Sequence, residues 1–299
     1  MTVPAYSEGG TWNVSSVVLI DKAGNEVVYS TADLQVLDLP TGLIVDYAKS
    51  SQTIMFNSVP TEPYGTPPFT IYATASSGLP VSFASLAAKV CTVSGANVTL
   101  VAAGQCTIRA TQPGNYEWRA AQPVNQSFQV TKASQFITFN PLRNRPYGSV
   151  PFRVSATASS GLKVELASIT STVCTVSSST VTFVAVGTCS IQATQSGNID
   201  YLPAMPVTQS FQVMKAHQTI TFNSLPNQVL GTPPFAVTAT ASSGLPVNFA
   251  STTLKVCTIS GSTVTLAAVG TCAIRATQAG NADYFGALPV NQSFEVTAN

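Results

Sequence analysis

KVCTISGSTVTLAAVGTC runs from Lys255 to Cys272, and near-copies run from Lys89 to Cys106 and from Thr172 to Cys189. Each copy holds two cysteines fifteen positions apart, and the chain has six cysteines in all. In the first copy, a turn near Gly95 joins the Cys91 strand to the Leu100 strand, and a second turn at Ala103–Gly104 leads into the Cys106 strand. The alternation has a period of two. It puts Cys91 and Val93 on the face that carries Val98, Leu100, Cys106 and Ile108.

Outward from the hairpin, the whole neighbourhood repeats. Cys91, Cys174 and Cys257 recur at one fixed step, and the same step separates Lys49, Lys132 and Lys215, and Gln52, Gln135 and Gln218. ATASSGL stands unchanged at Ala73, Ala156 and Ala239. No insertion or deletion separates the copies, so the chain is an array. A unit running from Lys49 to Thr131 is long enough for a small domain of its own, and small enough to gain from a covalent staple. The expected organisation is a partial β segment over 1–48, followed by repeats at 49–131, 132–214 and 215–299.

Within a repeat the period of two returns at Ile54–Phe56, Phe69–Ala75, Val81–Phe83, Cys91–Val93, Val98–Leu100, Cys106–Ala110 and Phe128–Val130. Pro60, Gly65, Gly78, Gly95, Gly104 and Gly114 punctuate these runs. No segment sustains a helical period. Seven short strands of this kind predict an all-β chain of tandem immunoglobulin-like sandwiches, set end to end as a rod because the linkers are so short. In such a sandwich the Cys106 strand crosses to the opposing sheet, which brings its sulfur within reach of Cys91. The pairs Cys91–Cys106, Cys174–Cys189 and Cys257–Cys272 are therefore expected as local disulfides, the usage of an oxidising compartment.

The run QTITFN…LGTPPFAVTATASSGLPVNFAS…VCTISGSTVTLAAVGTCAIRATQAGNADY…VNQSFEVT resembles the Ig-like repeats found in tandem in large bacterial surface and secreted proteins, including MBG domains. The resemblance covers roughly residues 49–299. It implies an extracellular or cell-surface module used as spacer or scaffold, and it carries over no catalytic residues.

The segment 1–48 differs from the repeats. GGTWNVSSVVLIDKAGNEVVYSTADL predicts a strand from Trp12 to Ile20, a turn at Lys22–Asn25 and a strand from Glu26 to Ser30, with a further strand at Leu43–Val45. It is similar to the final hairpin of β-sandwich domains that precede such repeats. Two or three lone strands are marginal in water. On size grounds the segment reads as the end of a truncated domain; docking on repeat one, or completion by another subunit, remain open.

Composition excludes several functions. Only 8% of residues are charged and the formal net charge is +1, which offers no footprint for nucleic acid. No apolar run is long enough for membrane insertion as a helix. The single histidine, His217, stands where the other repeats have Ser51 and Ser134, so it reads as a tolerated linker position. Carboxylates are scattered, and no phosphate loop, metal motif or cofactor motif occurs. The chain is read as a non-enzyme without cofactor.

Two polar constellations call for a structural check. In PGNYEW, Pro113–Trp118, matched by SGNIDY and AGNADY, the ring at Trp118, Tyr201 or Tyr284 is expected to cap the sandwich end. The competing reading is a ligand loop, an aromatic platform built on Tyr116 and Trp118 or a weak calcium loop. The second set is Lys49, Lys132 and Lys215 near Asn115, Asn198 and Asn281, where a lysine–asparagine cross-link competes with a solvated lysine. Three roles follow: a bacterial surface spacer contacting neighbouring domains or identical subunits; a filament or sheath subunit that uses strand addition at 1–48; or an adhesin binding a surface glycan or protein.

Overall fold

The computed structural model describes residues 10–45 and 49–298. These fall into two compact units. One runs to Ala133 and includes Asn198–Tyr201; the other comprises Ser134–Gly197 and the chain from Leu202 onward.

In the first unit the N-terminal segment forms β1 (Gly10–Asn13), β2 (Ser16–Ile20), β3 (Glu26–Ser30), α1 (Thr31–Val36) and β4 (Gly42–Val45). β1 pairs with β4 and β2 with β3, both antiparallel. The single strand expected from Trp12 to Ile20 is broken at Val14–Ser15, where the Thr31 hydroxyl donates to both carbonyls. The helix is also a departure from the sequence reading. It is too short to show a period, but its start is specified locally. The Ser30 hydroxyl accepts from the Asp33 N–H, and the Asp33 carboxylate accepts from the Ser30 N–H. The Ser30 hydroxyl also donates to the Asp33 carboxylate, and this bond, with that of the Ser30 N–H, holds the carboxyl below the usual carboxylate range.

Repeat one contributes β5 (Ile54–Phe56), β6 (Glu62–Pro63), β7 (Phe69–Thr70), β8 (Ala73–Ala75), β9 (Ser82–Ser85), β10 (Cys91–Ser94), β11 (Asn97–Leu100), β12 (Gly104–Thr111) and β13 (Val124–Thr131). One sheet has the order β6-β13-β12-β9; β10-β11-β7 form a second, and β5-β8 a separate two-stranded ladder. Two features depart from seven antiparallel strands. β6 runs parallel to β13, a two-residue edge pairing that its proline tolerates. The run Phe69–Ala75 splits, because β7 pairs with β11 and β8 with β5. Ile71 marks the handover: its N–H donates to the Ala96 carbonyl, and the next carbonyl, of Tyr72, accepts from Asn57. Inward and outward side chains keep alternating through the switch, so the pattern alone reads as one strand.

The core lies between the two larger sheets. Cys91, Val98, Cys106, Ile108 and Val130 are fully buried, while Thr92, Thr99, Arg109 and Gln129 face outward. Cys91 pairs across its ladder with Leu100, and Cys106 with Phe128. A disulfide joins Cys91 to Cys106, with Cα atoms 5.7 Å apart, and so ties the three-stranded sheet to the four-stranded one.

The second unit contains the same strand pattern twice, from Ile137 to Met214 and from Ile220 to Thr297. Its disulfides are Cys174–Cys189 and Cys257–Cys272. The chain is thus all-β in architecture, a series of immunoglobulin-like sandwiches after a short β segment.

The hairpin can be tested at its staple and at its tip. Replacing Cys174 and Cys189 together by alanine should destabilise repeat two by about 3 kcal/mol in the chain-entropy model, read as an earlier urea transition. At the tip, Gly95 and Gly261 have φ of 59°, whereas Ser178 takes φ 57° with a side chain. Ser178→Gly should therefore raise the stability of repeat two by about 1 kcal/mol in the same assay.

Candidate functional site

The loops PGNYEW, SGNIDY and AGNADY are built alike. Asn281 Oδ1 accepts from the N–H groups of Asp283 and Tyr284, both at 2.8 Å, and the Asn281 N–H donates to the Tyr284 carbonyl. Asn115 does the same for Glu117 and Trp118, and Asn198 for Asp200 and Tyr201. Such asparagine-capped turns are locally specified. The glycine before each asparagine has a positive φ, and a Cβ on Gly280 would collide with the Tyr284 carbonyl oxygen. Only glycine fits there.

Two buried glutamines hold this loop at both ends. Gln278 Oε1 accepts from the Gly280 N–H, while Gln218 Nε2 donates to Gln278 Oε1 (2.6 Å) and to the Phe285 carbonyl (2.8 Å). The Ser243 hydroxyl, from the ATASSGL motif, donates to Gln218 Oε1. Repeats one and two repeat the arrangement with Gln52, Gln112 and Ser77, and with Gln135, Gln195 and Ser160. All six glutamines are buried. Charge-free glutamine reads as surface in a sequence; recurrence at fixed offsets was the available signal.

The carboxylate and ring of the loop then contact the preceding repeat. In the second unit, Asp283 Oδ1 accepts from the Val186 N–H at 3.0 Å. The Tyr284 ring meets Tyr147 edge-on, with centroids 5.6 Å apart at 84°. The Ala216 N–H donates to the Asp283 carbonyl, and the Phe285 N–H to the Ala216 carbonyl, so the linker itself is fixed to the loop. Within the first unit, Asp200 Oδ1 accepts from the Ala103 N–H at 2.8 Å, and Tyr201 meets Tyr64 at 5.5 Å and 89°. These rings pack on a tyrosine of the repeat before, rather than on their own sandwich alone. Sequence reasoning missed the contact because the acid and the N–H that donates to it stand 97 residues apart.

The remaining candidates are placed as follows. Tyr116 is 65% exposed, but its counterpart Ile199 is 68% exposed, so exposure at this position does not single out an aromatic platform. Trp118 is half-buried beside it, its backbone bridged to Ser50. Lys132 Nζ donates to the Asn198 carbonyl and Lys215 Nζ to the Asn281 carbonyl, at 2.6 and 2.7 Å. The lysines thus latch the loop backbone, while the asparagine side chains are committed to the turn. His217 stacks on Phe285, with centroids 4.9 Å apart. The six cysteines are all in disulfides, inside the cores. Among the described residues no cluster of three or more His, Cys, Asp or Glu is arranged for a metal, and no helix is long and apolar enough to cross a membrane.

No protein-family model and no curated protein matches this chain. Solved structures similar to it include immunoglobulin domains 1–5 of Sidekick-1, at 11% identity over 95% of this chain and 66% of that one, with a TM-score of 0.35. Mouse cadherin-23 EC22–24 is matched at 12% identity over 83% of this chain and 100% of that one, with a TM-score of 0.30. Domains 1–6 of the surface layer protein SbsC are matched at 18% identity over 98% and 45%, with a TM-score of 0.25.

Truncating one glutamine should be costly out of proportion to its size. Gln218→Ala leaves the Gln278 and Phe285 oxygens and the Ser243 hydroxyl without their buried partner. A loss of about 2–3 kcal/mol in repeat three is expected in urea unfolding, against near-neutral effects at the exposed Thr258.

Proposed function

We propose that this chain is a non-enzymatic structural module, a spacer or scaffold of the MBG-like kind at a bacterial surface or in a secreted protein. In this reading residues 49–131, 132–214 and 215–299 are separate domains, each closed by its own disulfide, and 1–48 is a partial β segment before them. One observation carries the reading. The loop best suited to hold a ligand is, in repeats two and three, spent on internal contacts: Asp200 with Ala103, and Asp283 with Val186. A surface with few charges and outward threonines suits a part that must not adhere indiscriminately. Oxidised cysteine pairs in small β domains suit an extracellular setting.

The N-terminal segment favours one second reading, a self-assembling subunit. Val18, Leu19, Ile20, Val27 and Val28 are exposed on the β2–β3 ladder. A two-stranded ribbon apolar on both faces invites strand addition or sheet packing from another copy. Deleting residues 1–48 should then abolish oligomers in light scattering; under the spacer reading it leaves the mass per chain monomeric.

Mechanical unfolding tests the spacer directly. Pulled from its ends, the chain should give three unfolding events of similar force, one per repeat. Reduction should lengthen each event by about 50 Å, the reach of the fifteen residues that the bridge had closed off, at ~3.5 Å per residue. A single event, or extension without resistance, would overturn independent domains built to bear load.

A further inference from the structure

Repeat one carries a groove of about 340 Å³ at the edge of its sandwich, lined by Pro60, Glu62, Phe69 and Thr70 but not by Thr61. It lies beside β6 and β7, the edge strands of the two larger sheets. The same pairings recur in repeat two. Arg145 stands opposite Val213 and Phe152 opposite Val181, as Glu62 stands opposite Val130 and Phe69 opposite Val98. The side chains do not recur. Where repeat one has Pro60, Glu62 and Thr70, and repeat three has Pro226, Gln228 and Ala236, repeat two has Arg143, Arg145 and Arg153.

Arg145 is the centre of this set. Its guanidinium carbon lies 4.1 Å from the centroid of the Phe152 ring, so the head is held over an aromatic face. Its Nε is buried and has no hydrogen-bond partner among the described residues. The side chains at this position in the other repeats are bonded internally. Glu62 accepts from the Thr66 hydroxyl and Gln228 donates to the Pro226 carbonyl, both at 3.3 Å. Asn144, between two of the arginines, accepts from the Gln212 N–H at 2.8 Å and so fixes their backbone to the sheet.

The charge of this groove is unanswered within its repeat. Arg143 and Arg153 are exposed, and neither has a hydrogen-bond or ion-pair partner among the described residues. Residues 132–214 contain two acids, Glu165 and Asp200. Asp200 is bonded to the Ala103 N–H, and Glu165 stands on the opposite edge strand of the four-stranded sheet from Arg145. A half-buried guanidinium without an acceptor costs free energy that an incoming oxyanion would offset.

The edge strands limit what can carry that oxyanion. Arg145–Pro146 and Phe152–Arg153 are two residues long, and the first contains a proline. A peptide adding as a further strand finds no ladder to extend there. A ligand of this groove is held by side chains, and the planar fork of arginine matches carboxylate or sulfate with two parallel bonds. A sugar chain needs no backbone partner, and acidic groups on successive rings let one chain meet several arginines.

We propose that the Arg143, Arg145 and Arg153 groove of repeat two binds an acidic polysaccharide through its carboxylate or sulfate groups. Arg145, ordered against Phe152, supplies the fixed fork, and Arg143 and Arg153 take neighbouring oxyanions on the same chain. One groove gives modest affinity, which many copies on a common surface would raise. The inference goes beyond the spacer role, which stands if the groove binds nothing.

The test is calorimetric titration of the full chain with a galacturonate hexamer, its methyl ester and a dextran sulfate oligomer of similar length. At least one acidic oligomer should bind and the ester should not; the tighter of the two names the oxyanion. Arg145→Gln, which supplies the residue type of Gln228, should weaken binding about tenfold. Arg145→Lys should weaken it nearly as much, because it keeps the charge and loses the fork. Arg109→Gln removes an exposed arginine elsewhere, at a position where repeat two has Gln192, and should leave affinity unchanged. Unfolding midpoints equal to the parent's establish that the variants are folded. A second readout is the Arg145 Nε–H resonance, which should shift as the bound oligomer is added. Failure of both acidic oligomers to bind, binding of the ester, or equal losses in Arg145→Gln and Arg109→Gln would overturn the proposal. A glutamate hexapeptide bound as tightly through the same arginines would overturn the polysaccharide and assign the groove to acidic peptides.

Discussion

Two buried glutamines in each repeat constrain everything at its head. A polar side chain withdrawn from water costs free energy unless every capacity is matched, and here the matching is what shapes the chain. In repeat one, Gln112 accepts from the Gly114 N–H, where the loop begins, and Gln52 donates to the Arg119 carbonyl, where it ends. The same Gln52 accepts from Ser77 and donates to Gln112. The turn after Ala75, the approach to β5 and both ends of the loop are thereby tied to one polar knot. The asparagine cap and the aromatic ring occupy a loop whose span is already set.

The knot matters because the rest of the sandwich is sparsely hydrogen-bonded. In repeat one most strands have two to four residues, and only β12 and β13 reach eight. Short ladders contribute few bonds each, so the layers depend on side-chain burial and on the disulfide. Cys91 sits on the short β10 and Cys106 on the long β12, so the bridge fastens a weak sheet to the strong one. It lies among Val98, Ile108 and Val130, all fully buried, at the centre of the core and away from its rim. Covalent and apolar terms therefore act on the same contact between sheets, while the glutamine knot governs the end.

What could be read from the amino-acid sequence divides along the same line. The hairpin, the facing of Cys91, Val98 and Cys106, and the sandwich class were legible because a period of two is a local signal. The break at Ile71 was not, since a strand can change partners without changing the faces of its side chains. α1 escaped because six residues show no period, although Ser30 and Asp33 spelled out its cap. The loop was legible as a turn with a ring, and its Asn-Gly chemistry explains that much. Its docking was illegible for a different reason. A carboxylate that accepts from a backbone N–H 97 residues earlier has a partner with no side-chain identity. Ala103, Val186 and Val269 share only their place before a glycine.

That same anonymity accounts for the strictness of the period. A head loop meets the repeat before it through the Lys215–His217 linker, with Ala216 bonded on both sides to the loop. The acid must arrive opposite an N–H held by the tail turn, and the ring opposite a side chain fixed at the end of the parallel edge pairing, where the Tyr147 N–H donates to the Met214 carbonyl. An insertion in the tail turn, the linker or the loop would shift one half against the other, and no side-chain change at the backbone donor offers a remedy. Length is therefore held where identity drifts: Ala103 becomes Val186 and Ser51 becomes His217, yet the step from Cys91 to Cys174 equals that from Cys174 to Cys257. A fixed period in this array is a statement about geometry at the junctions, made through residues that individually carry little information.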